Sequence, residues 1–370
     1  MKYYIIAGEA SGDLHGSRLT AALKTNDPKA EIRAWGGDLM QKEGATIVKH
    51  IRELAIMGIV QVLLKLPQIF RNFSFCHKDI LDFQPDAIVL IDYSGFNLRI
   101  AKWAKKKGFK VFYFISPQIW ATRAGRVEKV KKYVDRMFCV LPFEKEFYAK
   151  YAYQADYVGH PLLDIIDDAE KDIDKSALST IKKPIIALLP GSRKQEIKAI
   201  LSRMMTIVPD FPDYQFVVAV APSVPIDLYQ SILKEEKSVL LLQHQTYPLL
   251  SSAEAALVTS GTATLETALF NVPQVVCYKT GPLFYWIVRQ IIKIPFISLV
   301  NIIMGKKIVE ELIQKELNRE RLKAEVEKIL NPAVRTEMFH NYEALRKKLG
   351  EKGAAARVSQ LMIDALQSKK

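Results

Sequence analysis

The N-terminal segment carries residue types suited to proton transfer and ligand binding: it reads Ala7-Gly8-Glu9-Ala10-Ser11-Gly12-Asp13-Leu14-His15-Gly16. An apolar run precedes it and a helix over 17–24 is predicted to follow, so the pattern indicates a strand, a glycine-rich turn and a helix start. Glycine permits left-handed backbone and close approach of a ligand, and a helix N-terminus offers unpaired N–H groups. The spacing matches neither the dinucleotide fingerprint nor the P-loop. Taken alone, the segment is explained more simply as an ordinary turn with solvated polar residues.

Another carboxylate, Asp92, directly follows a continuously apolar run over 87–91, which is typical of a central strand buried on both faces. Ligands of parallel α/β sheets bind outside the carboxyl ends of the strands, where a carboxylate could act as a general base. A cap of the following helix is an equally good explanation of this aspartate. The segment 116–120, Ser-Pro-Gln-Ile-Trp, follows the next predicted strand and could supply a wall for sugar or acyl groups.

Two loops in the second half of the chain have the composition of a diphosphate site. Pro190-Gly191-Ser192-Arg193 offers backbone N–H groups, a hydroxyl and a guanidinium at a helix start. The segment 260–266 reads Ser-Gly-Thr-Ala-Thr-Leu-Glu, and Glu266 is placed to accept hydrogen bonds from ribose hydroxyls. Each loop alone also fits a capped helix. Two such loops in one half favour a nucleotide-diphosphate site.

The elements that must position these residues alternate between strand-like runs and helical patterns, which is typical of parallel α/β architecture. The predicted strands are 3–7, 31–35, 87–91, 110–115, 136–140, 185–189, 215–220, 238–242, 255–259 and 274–278. We therefore expect an N-terminal domain over 1–163, a charged linker over 164–183 and a second domain over 184–335 that carries the two diphosphate loops. The helices of 336–370 are expected to pack back on the first domain or on a partner subunit, which leaves a homodimer open.

The composition is that of a globular protein with a basic surface. Of 370 residues, 49% are hydrophobic and 25% are charged, and the formal net charge is +13. Such a charge favours phosphate-bearing partners or an anionic membrane, and the sequence has no nucleic-acid-binding motif. Three cysteines and the lack of a signal peptide predict a cytoplasmic location. The scattered histidines have no metal-ligand spacing, so neither a metal nor a cofactor is expected.

The segment 54–71 is apolar on most of its faces and is flanked by lysine and arginine. Such a helix is usually part of a core, but this one also suits docking into an anionic bilayer and contact with acyl chains. The residues expected to make that contact are Ile56, Ile59, Val60, Val62, Leu63 and Leu66. No apolar run reaches the roughly 18 to 20 residues that a membrane-spanning helix needs.

A series of motifs, in order along nearly the whole chain, strongly resembles the lipid-A-disaccharide synthase family. They are Gly-Glu-Ala-Ser-Gly-Asp at 8–13, Ile-Asp-Tyr-Ser-Gly-Phe-Asn at 91–97, Ser-Pro-Gln-Ile-Trp-Ala at 116–121, Val-Gly-His-Pro-Leu at 158–162, Leu-Pro-Gly-Ser-Arg at 189–193, Ser-Gly-Thr-Ala-Thr-Leu-Glu at 260–266 and Leu-Val-Asn at 299–301. The resemblance implies a GT-B fold, in which two Rossmann-like parallel-sheet domains face each other across a cleft. It also implies an inverting transfer of 2,3-diacylglucosamine from its UDP derivative to 2,3-diacylglucosamine 1-phosphate, at the cytoplasmic face of the inner membrane.

The same resemblance assigns roles to particular residues. Asp92 is expected to be the base, with Glu9 and Asp13 as rivals. The expected nucleotide-binding residues are Gly12, Ser192, Arg193, Ser260, Gly261, Thr262, Glu266 and Asn301. Some relatives carry a second aspartate where this chain has Gly95, so a base role at that position does not transfer to this chain.

Two other interpretations remain open at the level of sequence. A UDP-sugar 2-epimerase, or another UDP-N-acetylhexosamine transferase, would share the fold, although the apolar segment 54–70 argues against either. A basic module that binds membranes or nucleic acid without catalysis would release no UDP from any sugar nucleotide.

Overall fold

The computed structural model describes residues 1–54, 66–122, 124–222, 224–234, 236, 238–282, 285, 286, 290 and 294–368. They divide into two compact units, Met1–Pro161 with Gly350–Lys370, and Leu162–Leu349. The chain leaves the first unit after Pro161 and returns to it at Gly350. The sequence predicts that the first domain ends at 163 and that the C-terminal segment which packs back on it begins at 336.

The first unit is built on a seven-stranded parallel sheet with the order β3-β2-β1-β4-β5-β6-β7. Its strands are β1 (Lys2–Ile6), β2 (Glu31–Gly36), β3 (Thr46–His50), β4 (Ala87–Ile91), β5 (Lys110–Phe114), β6 (Arg136–Cys139) and β7 (Asp156–Tyr157). All five residues of β4 are fully buried. Helices therefore cover both faces of this central strand, as its unbroken apolar sequence predicts.

Helices and short 3-10 turns connect these strands. The helices are α1 (Ala10–Asn26), α2 (Asp38–Lys42), α3 (Leu66–Phe83), α4 (Ser94–Lys106), α5 (Ile119–Thr122), α6 (Val127–Tyr133) and α7 (Pro142–Ala149). The 3-10 turns are Ile51–Glu53 and Ala124–Arg126.

The second unit repeats the architecture with a six-stranded parallel sheet in the order β10-β9-β8-β11-β12-β13. Its strands are β8 (Ile185–Leu189), β9 (Gln215–Val220), β10 (Val239–Gln243), β11 (Ala253–Thr259), β12 (Gln274–Tyr278) and β13 (Glu310–Ile313). Its helices are α8 (Leu162–Lys171), α9 (Lys194–Met204), α10 (Ile226–Leu233), α11 (Thr246–Leu250), α12 (Thr262–Leu269), α13 (Leu299–Met304), α14 (Arg319–Leu330) and α15 (Pro332–Lys348), with 3-10 turns at Ser176–Leu178 and Met205–Asp210.

The final helix, α16 (Ala354–Gln367), belongs to the first unit. Arg357 fixes it there, because its guanidinium donates to the carbonyl oxygen of Val158 at 2.9 Å and to those of Lys352 and Glu351. Arg136 of β6 adds a hydrogen bond to the carbonyl oxygen of Leu361. The preceding helix, α15, packs in the second unit.

All ten strands predicted from the sequence are confirmed, each to within two residues at either end. Three described strands, β3, β7 and β13, were not predicted from the sequence. Each lies at an edge of its sheet, and β7 has only two residues. An edge strand buries only part of its surface, so its apolar signal is weak. The region predicted as a linker differs too, since its first half forms α8, whose Leu163, Ile165 and Ile166 are buried.

The N-terminal segment also differs from the glycine-rich turn expected there. Helix α1 begins at Ala10, so Gly12 and Gly16 lie inside it, and neither has a positive φ. The residues expected to contact acyl chains at 56, 59, 60, 62 and 63 lie outside the described residues, as does the side chain of Leu66. Across the described parts of the chain, no helix combines the length and the apolar content needed to cross a bilayer.

Candidate active site

Asp92 lies at the carboxyl edge of the first sheet, directly after β4. Its backbone and that of Tyr93 are both left-handed, with φ of 44° at each residue. Ile115, which follows the neighbouring strand β5, has φ of 64°. Each such residue costs about 1–3 kcal/mol and persists only where the surrounding structure enforces it, as happens at functional sites. Two neighbouring strands, β4 and β5, therefore end in strained backbone at this edge.

Two buried side chains hold the main chain of Asp92. The amide nitrogen of Asn97 donates to the carbonyl oxygens of Asp92 at 2.9 Å and of Ile91 at 3.2 Å. The hydroxyl of Tyr113 on β5 donates to the same Asp92 oxygen. Asn97 and Tyr113 are both fully buried. The sequence contained the signal for Asn97, since it closes the Ile-Asp-Tyr-Ser-Gly-Phe-Asn motif, but nothing in it identified Tyr113.

The environment of Asp92 makes its carboxylate more basic than usual. Burial raises the pKa of Asp92 to about 6, the negative charge of Glu9 adds to the rise, and a hydrogen bond from the backbone of Tyr93 opposes it. The residue still presents an exposed surface at the sheet edge. A carboxylate with a pKa close to neutrality can both be ionised and accept a proton at physiological pH.

Gly8 and Glu9 come to this edge from the end of β1. A Cβ at Gly8 would lie 2.4 Å from Cγ of the Tyr93 ring, so only glycine leaves room for that ring. The ring in turn stacks on Phe96, with centroids 5.4 Å apart. Glu9 is exposed at the N-cap of α1, and its side chain makes no cap hydrogen bond. The negative charge of Glu9 acts on Asp92, so these two carboxylates lie near each other at this edge, and which of them is the base stays a prediction.

Asp13 is engaged within the fold. Its carboxylate accepts hydrogen bonds from the backbone N–H groups of Gly37 at 2.7 Å, Leu39 at 3.2 Å and Met40 at 3.1 Å. These bonds cap α2, and the side chain is buried. The role of Asp13 as a rival base stays a prediction, and its bonds favour a structural role. Gly12 lies in α1, where an added Cβ would stand 3.0 Å from the Cβ of Ala7, so its nucleotide contact also stays a prediction.

His15 and His160 lie near each other in the first unit. Burial lowers the pKa of His15 to about 4, with a contribution from Arg18, and lowers the pKa of His160 to about 3, with a contribution from His15. Both imidazoles are therefore neutral at physiological pH.

In the second unit, the two predicted phosphate loops follow neighbouring strands, β8 and β11, at the same edge of the sheet. Gly191 has φ of +109°, and a Cβ there would stand 3.2 Å from Cγ2 of Thr259. The side chain of Arg193 is 72% exposed, and its guanidinium pairs with Glu196 at 2.9 Å. Because an exposed ion pair is weak, this guanidinium can be redirected to a ligand at little cost.

The second loop opens helix α12. Gly261 is its N-cap, with φ of +150°, and Thr262 is exposed at the first helical position. The hydroxyl of Ser260 donates to the carbonyl oxygen of Ile297 at 2.7 Å, which ties this loop to the one before α13. The free N–H groups and the dipole of a helix N-terminus attract anions.

Glu266 lies one turn further along α12 and is half-buried. The hydroxyl of Tyr247 donates to its carboxylate at 3.1 Å. Burial raises the pKa of Glu266, and the bond from Tyr247 opposes the rise. A carboxylate with remaining acceptor capacity suits a pair of sugar hydroxyls.

Asn301 is fully buried, and its amide is saturated with hydrogen bonds. The nitrogen donates to the carbonyl oxygen of Val309 and to Glu311, and the oxygen accepts from the N–H groups of Ile308 and Val309, at 2.8–3.1 Å. An asparagine side chain can make four hydrogen bonds. Its nucleotide contact stays a prediction. Because Glu311 also accepts hydrogen bonds from the N–H groups of Ile297 and Ser298, these bonds favour a role in holding the loop that Ser260 contacts.

Together, the carboxyl edge of the second sheet offers N–H groups, hydroxyls, a guanidinium and a carboxylate, which is the donor set for a nucleoside diphosphate. Within the residues that the structure describes, no three His, Cys, Asp or Glu side chains come close enough to hold a metal ion.

Comparison with known proteins agrees with these features. The family model described as "Lipid-A-disaccharide synthetase" matches residues 3–364. A lipid-A-disaccharide synthase of Myxococcus xanthus is 37% identical over 98% of this chain and 97% of its own length. One from Coxiella burnetii is 36% identical over 94% of this chain and 92% of its own length.

Solved structures show the fold. A UDP-GlcNAc 2-epimerase from Neisseria meningitidis superposes over 100% of both chains with a TM-score of 0.67 and 12% identity. A calicheamicin glycosyltransferase covers 99% of this chain and 98% of its own, with a TM-score of 0.61 and 15% identity. The GT-B fold predicted from the sequence is thus confirmed. The chain is a glycosyltransferase that belongs to the lipid-A-disaccharide synthase family.

Proposed function

We propose that this chain transfers 2,3-diacylglucosamine from its UDP derivative to the 6-hydroxyl of 2,3-diacylglucosamine 1-phosphate, giving the disaccharide 1-phosphate and UDP. The observation that carries the proposal is the family match over 3–364, together with relatives at 36–37% identity over nearly their whole length. Asp92 and the loops that begin at 190 and 260 follow strands at the carboxyl edges of the two sheets, where α/β proteins bind ligands.

In the proposed reaction, Asp92 acts as the general base. Its ionised carboxylate takes the proton from the 6-hydroxyl while that oxygen forms a bond to the anomeric carbon of the donor. The bond from that carbon to the diphosphate breaks, the electron pair leaves with UDP, and the configuration at the carbon is inverted. The raised pKa of Asp92 and its rigidly held backbone support this assignment.

The leaving UDP gains negative charge as the bond breaks, so it needs fixed positive partners. We assign this role to the N–H groups at Gly261 and Thr262, to the hydroxyl of Ser192 and to the guanidinium of Arg193. Because the hydroxyl of Ser260 donates to the carbonyl oxygen of Ile297, Ser260 would hold the loop that carries these groups. Glu266 would accept hydrogen bonds from the ribose. Asn301 and Asp13 would act through the loops that they hold.

Membrane association at the cytoplasmic face of the inner membrane belongs to the same proposal. Both substrates carry acyl chains, and the chain's net charge of +13 suits anionic lipid. Helix α3 presents Phe70 with 67% of its surface exposed and Phe75 with 42% exposed. This exposed apolar surface directly follows the segment 54–65, whose residues 56, 59, 60, 62 and 63 are proposed to contact acyl chains.

The experiment that tests the proposal is a UDP-release assay with the diacylated donor and acceptor in mixed micelles. We expect release only when both lipids are present. The parallel reaction offers water-soluble UDP-N-acetylglucosamine, with and without a soluble acceptor. Comparable consumption of that compound would favour an epimerase or another hexosamine transferase. If no donor yields free UDP, the result would favour a module that binds membranes or nucleic acid without catalysis.

A further inference from the structure

Helix α7 carries a buried carboxyl group that the proposed reaction does not use. Glu144 is 1% exposed. Its Oε2 accepts the N–H of Leu141 at 3.1 Å, which caps the start of α7. A carboxylate is rarely buried unless its oxygens have hydrogen-bond or ion-pair partners. The partners of the other oxygen, Oε1, show what else this carboxylate holds.

Those contacts reach the segment Ser116–Trp120, which follows β5 beside the Asp92 loop. The indole nitrogen of Trp120 donates to Oε1 of Glu144 at 3.2 Å. The Phe143 ring packs edge-on against the same indole, with centroids 4.9 Å apart. Glu144 and its neighbour on α7 therefore fix both the direction and the plane of the Trp120 ring.

The other end of the segment is held by the same helix. Ser116 is 4% exposed, and its hydroxyl lies 2.8 Å from the hydroxyl of Tyr148. A hydrogen bond also links Ser116 to Glu144. One carboxylate thus joins Ser116 and Trp120, while Gln118 between them is exposed and Trp120 is half-buried.

We propose that Glu144 is a positioning residue for acceptor binding, which holds Trp120 and Ser116 so that their segment forms a preset wall beside Asp92. The inference rests on the proposed function, since it takes the sugar of the acceptor to be the group that meets this wall. An aromatic face is a common surface for the apolar side of a sugar ring or an acyl chain. Glu144 itself does not touch the substrate.

The titration of Glu144 supplies a readout that a merely structural residue would not have. Burial raises the pKa of Glu144 to about 7, while bonds from Leu141, Ser116 and Trp120 oppose the rise. The titratable groups that face it are Tyr148 on its own helix, Cys139 on β6 and Tyr157 on β7. Protonation removes the charge that the Trp120 N–H bonds to, so the indole environment changes as pH falls through about 7.

The first experiment measures tryptophan fluorescence between pH 5.5 and 8.5 on the whole protein, with the Trp120→Phe signal subtracted to isolate one indole. We expect a transition near pH 7 that is absent from Glu144→Gln. Glu146→Gln is the matched control, because Glu146 lies on the same helix but is exposed; it should keep the transition. An unchanged midpoint in Glu144→Gln would overturn the proposal.

The second experiment uses the UDP-release assay. Glutamine has the size of glutamate but can accept from only one of the two N–H donors, so Glu144→Gln should fold and misplace the indole. We expect about a tenfold rise in KM for the acceptor, with kcat and the UDP dissociation constant within about threefold. An unchanged acceptor KM would overturn the inference. Failure of the proposed function is distinct, because wild-type protein would then release no UDP, whereas the fluorescence transition requires no substrate.

Discussion

At the scale of single residues, the proposed site depends on the carboxylate of Asp92, which has a raised pKa and remains accessible to solvent. Asp92 is exposed to an incoming hydroxyl, yet protein on its other sides and the charge of Glu9 raise its pKa to about 6. Its backbone is strained, and Asn97 and Tyr113 hold it in that conformation. These features agree with a base that is pre-positioned, so little reorganisation is needed when the substrate arrives.

Replacing Asp92 by asparagine should lower kcat by about 10²–10⁴-fold, because general base catalysis contributes on that order. The UDP dissociation constant should stay within about threefold, since the residues assigned to the diphosphate and the ribose belong to the other unit. Steady-state UDP release and calorimetric UDP titration measure the two quantities. Asp82→Asn is the matched control, because Asp82 is an exposed aspartate on α3. A near-normal kcat in Asp92→Asn would remove it from the mechanism.

The pH profile separates Asp92 from its rival. The base must be ionised, so kcat of the wild-type protein at saturating acceptor should fall about tenfold per pH unit below pH 6. Glu9→Gln removes a like charge, which lowers the pKa of Asp92 and moves this acidic limb to lower pH while activity at pH 8 is retained. Loss of activity at pH 8 would instead make Glu9 the base.

Arg193→Ala should weaken UDP binding by about 10–100-fold, since a charge-assisted hydrogen bond to phosphate contributes about 1.5–3 kcal/mol. Thermal unfolding should change little, because the guanidinium is 72% exposed and its ion pair with Glu196 lies at the surface. Lys198→Ala removes an exposed positive charge from the same helix and should leave UDP affinity unaltered. Equal affinity in all three proteins would contradict the phosphate assignment.

At the scale of elements, continuous apolar runs predicted the central strands, and the rule that ligands bind at carboxyl edges placed Asp92 and the two phosphate loops. The start of α1 was harder to predict, because glycine and aspartate favour turns when judged locally. Here tertiary contact decides: Asp13 caps α2, and Gly16 packs where a Cβ would stand 2.6 Å from Sδ of Met40. Hydrogen bonds between distant segments, such as that from Tyr113 to Asp92, leave no local pattern in the sequence.

Gly8→Ala tests whether the loop after β1 determines the position of the loop after β4. The new methyl group would meet the Tyr93 ring at 2.4–2.6 Å, so the ring and the adjoining Asp92 must shift. We expect kcat to fall at least tenfold while UDP affinity is retained. Gly95→Ala is the control, because nothing lies within 4 Å of its added Cβ; alanine favours the helix that contains it. Full activity in Gly8→Ala would show that the Tyr93 position does not matter to Asp92.

At the scale of the whole molecule, two α/β units of similar design divide the work that the proposed transfer requires. In the proposed transfer, the first would supply the base and an apolar surface, and the second would supply the groups for a diphosphate. The chain returns to the first unit through α16, which Arg357 fixes beside Val158. The net charge of +13 and the exposed phenylalanines of α3 suit a protein that meets its substrates at an anionic surface.

Vesicle binding tests that assignment for the intact protein. Phe70→Ser removes the most exposed phenylalanine of α3 and should reduce co-sedimentation with phosphatidylglycerol vesicles several-fold, without changing the unfolding temperature. Leu240→Ser alters a partly exposed leucine of the other unit and should have no effect. Equal sedimentation of both variants and the wild-type protein would show that α3 does not contribute to binding.

The most direct test of the central claim is the structure of the product. The wild-type protein is incubated with the α-linked UDP-diacylglucosamine donor and the diacylglucosamine 1-phosphate acceptor, and the isolated lipid is examined by NMR. A single displacement by the 6-hydroxyl predicts a β-1,6-linked disaccharide, formed in equal amount to UDP and lost in Asp92→Asn. An α-linked disaccharide, or UDP released without any disaccharide, would contradict it.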